Sequence, residues 1–157
     1  YLYEFYKMAK SNQGRFRPRH PTKYKGDTTN IVYRSGWELK LMNYLDKHPH
    51  VTLWNSEEIV VPYRSPIDGK MHRYFPDFYV EKIFKGKREK ILIEVKPYAQ
   101  TKPPTVQNTK KNKPTKRYLN EVKTWGTNSA KWNAAAEYCK DRGWKFSIIT
   151  ENELGIK

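Results

Sequence analysis

Residues 51–96 restrict the fold more than any other part of the chain, because they contain three strand-like runs separated by turn signals. "VTLWNSEEIVVPYRS", "KMHRYFPDFYVEK" and "REKILIEVK" are rich in Val, Ile, Tyr and Phe. Asp68-Gly69 separates the first two runs, and "FKGK" at 84–87 separates the second from the third. Asp-Gly between two strand-like runs is a strong hairpin signal. The segment therefore predicts three successive antiparallel strands, with Asp77 in the middle one.

A helix is predicted immediately before these strands, in "SGWELKLMNYLDKHP" at 35–49. Ser35 suits the N-cap position and Glu38 the third helical position, which together make a capping box. Pro49 ends the pattern. The apolar residues at helical spacing are Trp37, Leu41, Tyr44 and Leu45. We expect this stripe to pack on the sheet.

The chain after the strands predicts a loop, two helices and a last strand. Residues 97–114 form a basic, proline-rich loop, where neither helix nor strand is expected. "TKRYLNEVKTWG" and "SAKWNAAAEYCKDRG" are predicted as separate helices, the second beginning at Ser129 and ending at Gly143. "WKFSIIT" is predicted to be a buried strand. The order indicates a mixed α/β (α+β) domain, with helices covering a central sheet.

Charge indicates the kind of partner. The 157 residues include 31 Lys and Arg against 16 Asp and Glu, a formal charge of +15, which favours nucleic acid as the ligand. No run of eighteen apolar residues predicts a membrane span. Residues 1–34 are interpreted as a basic arm on the surface of a domain at 35–157. Met8 is a candidate translation start, so residues 1–7 are not assumed to be native.

Three acids and a lysine lie where the predicted elements meet. Residues two apart in a strand share a face, so Glu94 and Lys96 are neighbours, and one hairpin brings Asp77 beside them. The helix can add Glu38. Carboxylates are the ligands that Mg²⁺ prefers, and a bound ion can neutralise a phosphate and activate water. Structural alternatives are a capping role for Glu38, a strand-edge position for Asp77 and a surface ion pair between Glu94 and Lys96.

Pro76-Asp77 and Glu94-Val95-Lys96 resemble the motif of the PD-(D/E)xK nuclease superfamily, and the element order resembles the restriction-endonuclease core, α-β-β-β-α-β. A closer resemblance runs from about residue 23 to residue 150. "KYKGD", "YRSGWE", "YFPDFYV", "IEVKP", the double proline at 103–104 and "KRYLNEVKTWGTNSAKWNAA" are similar to the head-completion nucleases of T-even-type tailed phages, distant relatives of TnsA-like transposon endonucleases.

This resemblance implies a DNA endonuclease that acts in phage head completion, after DNA packaging. Glu38, Asp77 and Glu94 would be the catalytic acids and the ligands of Mg²⁺, for which Mn²⁺ can substitute, and Lys96 would be the catalytic lysine. The expected partners are double-stranded DNA and the portal or neck proteins of the phage. The expected location is the host cytoplasm during virion assembly, extending to the virion itself.

Basic and aromatic residues around the predicted site are expected to bind DNA. They are Arg15, Arg17, Arg19, Lys23, Lys25, Arg34, Tyr98, Lys102, Lys110, Lys111, Lys113, Lys116 and Arg117. Because no helix carries a set of base-reading side chains, we expect low sequence specificity. Two alternative functions stay open at this point. One is a non-catalytic virion protein that binds DNA or the portal, and the other is a dimeric resolvase of branched DNA.

Overall fold

A computed structural model describes residues 13–106 and 113–156 of the chain. Within them lie two α-helices, eight strands and two short 3-10 turns, at Pro21–Lys23 and Tyr98–Thr101. The α-helices are α1 (Gly36–Lys47) and α2 (Lys116–Arg142). The strands are β1 (Gly14–Phe16), β2 (Ile31–Tyr33), β3 (Val51–Ser56), β4 (Val61–Arg64), β5 (Met71–Tyr74), β6 (Phe78–Phe84), β7 (Lys87–Val95) and β8 (Lys145–Ile149).

The central sheet has four strands in the order β3-β6-β7-β8. β6 is antiparallel to both β3 and β7, whereas β8 runs parallel to β7 after the crossover through α2. The elements α1, β3, β6, β7, α2 and β8 therefore follow the predicted order, and the mixed α+β class with a restriction-endonuclease-like core is confirmed. β1 with β2, and β4 with β5, form two small additional sheets.

Both faces of the central sheet are covered, which explains why β7 is apolar on both sides near its end. Ile93 belongs to the core beneath α1, while Leu92 belongs to the core beneath α2. Burial of each large apolar side chain contributes about 1.5–3 kcal/mol, so the two layers hold the sheet from both sides. The fully packed residues of the helices are Leu41, Met42 and Leu45 of α1 and Trp132, Ala135 and Cys139 of α2. Of the stripe predicted for α1, Tyr44 is instead exposed.

The N-terminal segment is part of the core, so its predicted position on the surface is wrong for several residues. Phe16, Tyr24 and Ile31 are buried, and the ring of Tyr24 lies edge-on to that of Trp54, 4.8 Å between centroids. The buried carboxylate of Asp46 in α1 accepts backbone N–H groups of Arg19 and His20 at 2.9 and 3.1 Å. The apolar residues of this segment are few and follow no helix or strand period, so the sequence alone does not indicate that they pack in the core.

The predicted three-strand segment is more divided than expected. The first run separates into β3 and β4, and the second into β5 and β6. Asp68-Gly69 does form the turn between β4 and β5, with Gly69 at φ 69°. Pro76 interrupts the second run, because proline cannot donate to a strand ladder. Asp77 therefore lies directly before β6 rather than within a strand.

One long helix replaces the two predicted at residues 115–143. α2 has 27 residues and passes through Gly126 and Ser129 without a break, so Ser129 is not an N-cap. A helical glycine costs only about 1 kcal/mol, less than the burial that the continuous helix gains. Gly143 ends α2 at φ 69°, as predicted. No helix within the described ranges is long and apolar enough to cross a membrane.

The last strand differs from its prediction in burial. β8 is an edge strand, and its side chains are exposed or half-buried rather than buried. The loop after β7 also has a little regular structure, the 3-10 turn at 98–101, where no helix was expected. Its residues 107–112 lie outside the described part of the chain.

Candidate active site

Asp77 and Glu94 meet because β6 and β7 are antiparallel neighbours. Phe78 pairs with Ile93. Because the strands are antiparallel, Asp77, just before Phe78, lies opposite Glu94, just after Ile93. The backbone N–H of Val95 donates to Oδ2 of Asp77 at 2.7 Å, which fixes the carboxylate against the end of β7. The predicted proximity of the two acids is therefore present at the open end of the β6–β7 hairpin.

Glu94 is buried and held by two partners. The hydroxyl of Tyr74 donates to Oε2 of Glu94 at 2.5 Å. The ammonium Nζ of Lys96 lies 3.5 Å from Oε1 of the same carboxylate. Only 7% of Glu94 is exposed, so this is not the surface ion pair that the structural alternative required.

Glu38 reaches the same region from the N-terminus of α1. Its backbone N–H donates to Oγ of Ser35 at 3.1 Å, as the predicted capping box requires. Its side chain departs from that motif, because Oε2 accepts the backbone N–H of Arg34 at 2.9 Å, one residue before the N-cap. Capping thus occupies one oxygen of Glu38 and leaves the other for a ligand.

Electrostatics couple these groups. Burial and the charge of Glu94 raise the pKa of Asp77 well above its usual value, and Glu38 raises it further. Burial also raises the pKa of Glu38, with the charge of Glu94 contributing. Burial and Glu94 raise the pKa of Tyr74, so its hydroxyl keeps its proton and remains a donor. Lys96 offsets only part of this excess negative charge, which a proton or a cation can balance.

The chemistry of these donors fits a divalent cation. Carboxylate oxygens are hard ligands suited to Mg²⁺ or Mn²⁺. Asp77, Glu94 and Glu38 each use one oxygen for a hydrogen bond to the protein, and the second oxygen of Glu94 lies 3.5 Å from Nζ of Lys96. Across residues 13–106 and 113–156, however, no three His, Cys, Asp or Glu side chains are already close enough to hold one ion. Joint ligation by the three acids therefore requires side-chain rotation.

The predicted DNA-binding residues remain predictions, and the structure gives their positions. Lys23 is half-buried, and its ammonium donates to the carbonyls of Asp46 and His48, both at 2.9 Å, at the end of α1. Lys110 and Lys111 lie outside the described residues. The exposed members are Arg15, Arg17, Arg19, Lys25, Arg34, Tyr98, Lys102, Lys113, Lys116 and Arg117.

Two further residues beside the acids were absent from the sequence prediction. Tyr74 binds Glu94, and Glu57 forms a bidentate ion pair with Arg34. Tyr74 lies on a separate strand from Glu94, twenty positions away, so no local pattern connects them. The adjacent acids Glu57 and Glu58 in a strongly basic chain were the available signal for the second residue.

Comparison with known proteins identifies the family of this chain. Residues 48–151 match the family model described as TnsA-like endonuclease N terminal. The chain is also 38% identical over 141 residues to the head completion nuclease of Enterobacteria phage T4, covering 90% of this chain and 92% of that protein. The matched range includes Asp77, Glu94 and Lys96, while Glu38 precedes it. This chain therefore belongs to the family of TnsA-like endonucleases and their phage head-completion relatives.

Proposed function

We propose that this protein is a Mg²⁺-dependent DNA endonuclease of low sequence specificity. The observation that carries the proposal is the pair formed by half-buried Asp77 and buried Glu94, with Lys96 beside Glu94, at one end of the sheet. Burial and the charge of Glu94 raise the pKa of Asp77, and such a pair of acids is unfavourable in a purely structural role. They are well suited to hold a cation.

Each residue has a defined task in this proposal. Asp77, Glu94 and Glu38 would hold the metal, which when bound supplies charge neutralisation and a lowered pKa for water. Tyr74 keeps one oxygen of Glu94 in place, so the other faces the site. Lys96 orients the attacking water or stabilises the charge that develops on the phosphate. In-line attack on phosphorus then leaves a 5′-phosphate and a 3′-hydroxyl, as the family resemblance implies.

DNA binding would rely on charge rather than on base reading. The formal charge of +15 favours a polyanion, and arginine and lysine contacts to phosphates hold a duplex without selecting its sequence. The exposed arginines of the N-terminal segment lie on the same domain as the acids. We expect affinity to fall steeply as salt concentration rises.

The biological setting is proposed from the relative's name, which is head completion nuclease. We propose that this chain likewise acts on DNA when phage heads are completed after packaging. The protein would then act in the host cytoplasm during assembly or in the virion, with portal or neck proteins as partners. A binding-only virion protein and a branched-DNA resolvase are the alternatives that the experiment below must separate.

The experiment is cleavage of supercoiled plasmid with Mg²⁺ or Mn²⁺ by wild type, Asp77→Ala and Lys96→Ala. Lys90→Ala is the matched control. Lys90 lies on β7, the strand of Glu94, but forms a surface ion pair with Glu81 of β6. DNA binding is measured in parallel in EDTA. Cleavage by wild type and Lys90→Ala alone, with binding kept by all four, supports the nuclease. Folded wild type that binds but never cuts linear, supercoiled or branched DNA supports the binding-only protein, and cleavage confined to branched DNA supports the resolvase.

A further inference from the structure

Glu57 lies immediately after β3 and is joined to both sides of the acid cluster. Its backbone N–H donates to the carbonyl of Asp77 at 3.2 Å. Its carboxylate accepts Nε of Arg34 at 3.1 Å and Nη2 of Arg34 at 3.0 Å, a bidentate pair. Glu57 thus connects Asp77 to Arg34, which lies beside Glu38.

Arg34 completes the connection through its backbone. Its N–H donates to Oε2 of Glu38 at 2.9 Å. A continuous set of hydrogen bonds therefore runs from Asp77 at the sheet to Glu38 on α1, by way of Glu57 and Arg34. No other acid in the described part of the chain is bonded to both sides of this cluster in the same way.

We propose that Glu57 is a positioning residue that acts through Arg34 to hold Glu38 beside Asp77. This inference rests on the proposed function, because it concerns the geometry of the same metal site. Glu57 is not itself assigned as a ligand. Its effect would be to keep Glu38 in the region beside Asp77, so that a short side-chain rotation lets the helix acid and the sheet acids meet the ion together.

Backbone geometry at Glu57 supports a role beyond packing. Its φ is 56°, a left-handed conformation that is costly for a residue with a side chain. The other such residue among those described is Lys85, with φ 49°. Lys85 and Gly86 form the tight turn between β6 and β7, which demands this conformation. Glu57 is in no two-residue hairpin, and strain of this kind is concentrated at functional sites.

The exposure of the pair makes a stability role insufficient. The Arg34 side chain is 61% exposed and that of Glu57 is 35% exposed. Ion pairs this open to water add little to folding stability. A planar guanidinium fork matches a carboxylate bidentately, which fixes direction better than it adds energy. Loss of the pair should therefore change the site more than the fold.

The test compares Glu57→Gln with Glu58→Gln, which makes the same charge change at the exposed neighbouring residue. Mn²⁺ binding to the DNA-free protein is measured by calorimetry, and plasmid cleavage is measured over a range of Mg²⁺ concentrations. Removal of a residue that orients a metal ligand typically costs 10–100-fold in affinity or activity. We expect Glu57→Gln to weaken Mn²⁺ binding about tenfold, with an unchanged unfolding temperature. Its cleavage defect should shrink at saturating Mg²⁺, and Glu58→Gln should resemble wild type.

A double-mutant cycle with Arg34→Gln tests whether Glu57 acts through Arg34. If it does, the double variant binds Mn²⁺ no more weakly than the worse single variant. Additive losses, or an unchanged Glu57→Gln, would overturn the inference. If Glu57→Gln does not fold, Glu57→Asn takes its place, since asparagine tolerates the left-handed backbone. Wild type that neither binds Mn²⁺ nor cleaves would overturn the proposed function instead, so the two failures are distinguishable.

Discussion

The two ends of the β6–β7 hairpin contain the same residue types in opposite surroundings. At the open end, half-buried Asp77 and buried Glu94 repel each other, with Lys96 as their nearby cation. Toward the turn, Glu89 is also half-buried but pairs with Lys145 at 2.8 Å and Lys82 at 3.6 Å. The pKa of Asp77 is raised well above its usual value, whereas hydrogen bonding to Lys145 lowers the pKa of Glu89.

This contrast teaches that burial and partners, rather than residue type, decide what an acid can do. Glu89 is satisfied by lysines of its own chain and needs no ligand. Asp77 accepts the backbone N–H of Val95 and is only weakly stabilised by Lys96, so burial and the charge of Glu94 keep its pKa raised. Each strand of the hairpin has a glutamate that accepts a hydrogen bond from a tyrosine: Glu94 of β7 accepts from Tyr74 of β5, and Glu81 of β6 accepts from Tyr79. These duplicated pairs provide matched controls.

Asp77→Asn should have the largest effect. Removal of the charge should abolish metal-dependent cleavage, a loss of at least about a thousandfold if the metal supplies several kcal/mol to the transition state. The metal-free variant should nevertheless unfold at a higher temperature than wild type near pH 8, because an expensive buried charge is gone. Plasmid cleavage and thermal unfolding in EDTA measure the two effects. A variant less stable than wild type would contradict the view that this charge is unbalanced.

Lys96→Ala should come next, and Lys90→Ala is its counterpart on the same strand. Lys96 lies beside Glu94 in the acid cluster, so its loss should lower cleavage about a hundredfold through poorer activation of water. Lys90 forms a 3.6 Å surface pair with Glu81, and its loss should leave the rate unchanged. Single-turnover rates at saturating DNA measure the difference. Equal losses in the two variants would indicate that positive charge, rather than position, matters.

Tyr74→Phe and Tyr79→Phe remove one hydroxyl each from the duplicated pairs. Without the Tyr74 hydroxyl, Glu94 keeps its burial but loses the donor at 2.5 Å, so we expect cleavage and Mn²⁺ affinity to fall about tenfold. Tyr79 donates to Glu81 at 2.7 Å, and this pair is not part of the acid cluster. Tyr79→Phe should therefore retain both cleavage and Mn²⁺ affinity. A silent Tyr74→Phe would show that Glu94 needs no orienting partner.

The smallest effect is expected in the pH dependence of metal-free stability. A carboxyl whose folded pKa is raised stabilises the fold fully below the unfolded pKa, near 3.8, and this stabilisation is lost as pH rises through the folded pKa. The unfolding temperature of wild type should therefore fall relative to Asp77→Asn over that window. Glu89→Gln should leave the profile over that window nearly unchanged, since hydrogen bonding to Lys145 lowers the pKa of Glu89 and keeps it ionised there. Parallel curves for wild type and Asp77→Asn would contradict the raised pKa.

Local patterns were sufficient where the physics is local. A strand period of two placed Glu94 beside Lys96, and hairpin connectivity brought Asp77 to them. Ser35 and Gly143 cap their helices as expected, because capping depends on a few adjacent residues. Patterns failed where a distant surface decided the outcome. Gly126 did not end its helix, since packing on the sheet outweighs its modest cost.

The sequence by itself determined the order of elements, the basic character and the positions of the three acids and Lys96. Only the tertiary structure decided that Phe16, Tyr24 and Ile31 enter the core, that Asp77 lies beside buried Glu94, and that Tyr74 and Glu57 reach the two acids. The physical reason is that charge and strand periodicity are properties of neighbouring residues. Burial, pKa and hydrogen-bond geometry depend instead on residues that folding brings together from separate parts of the chain.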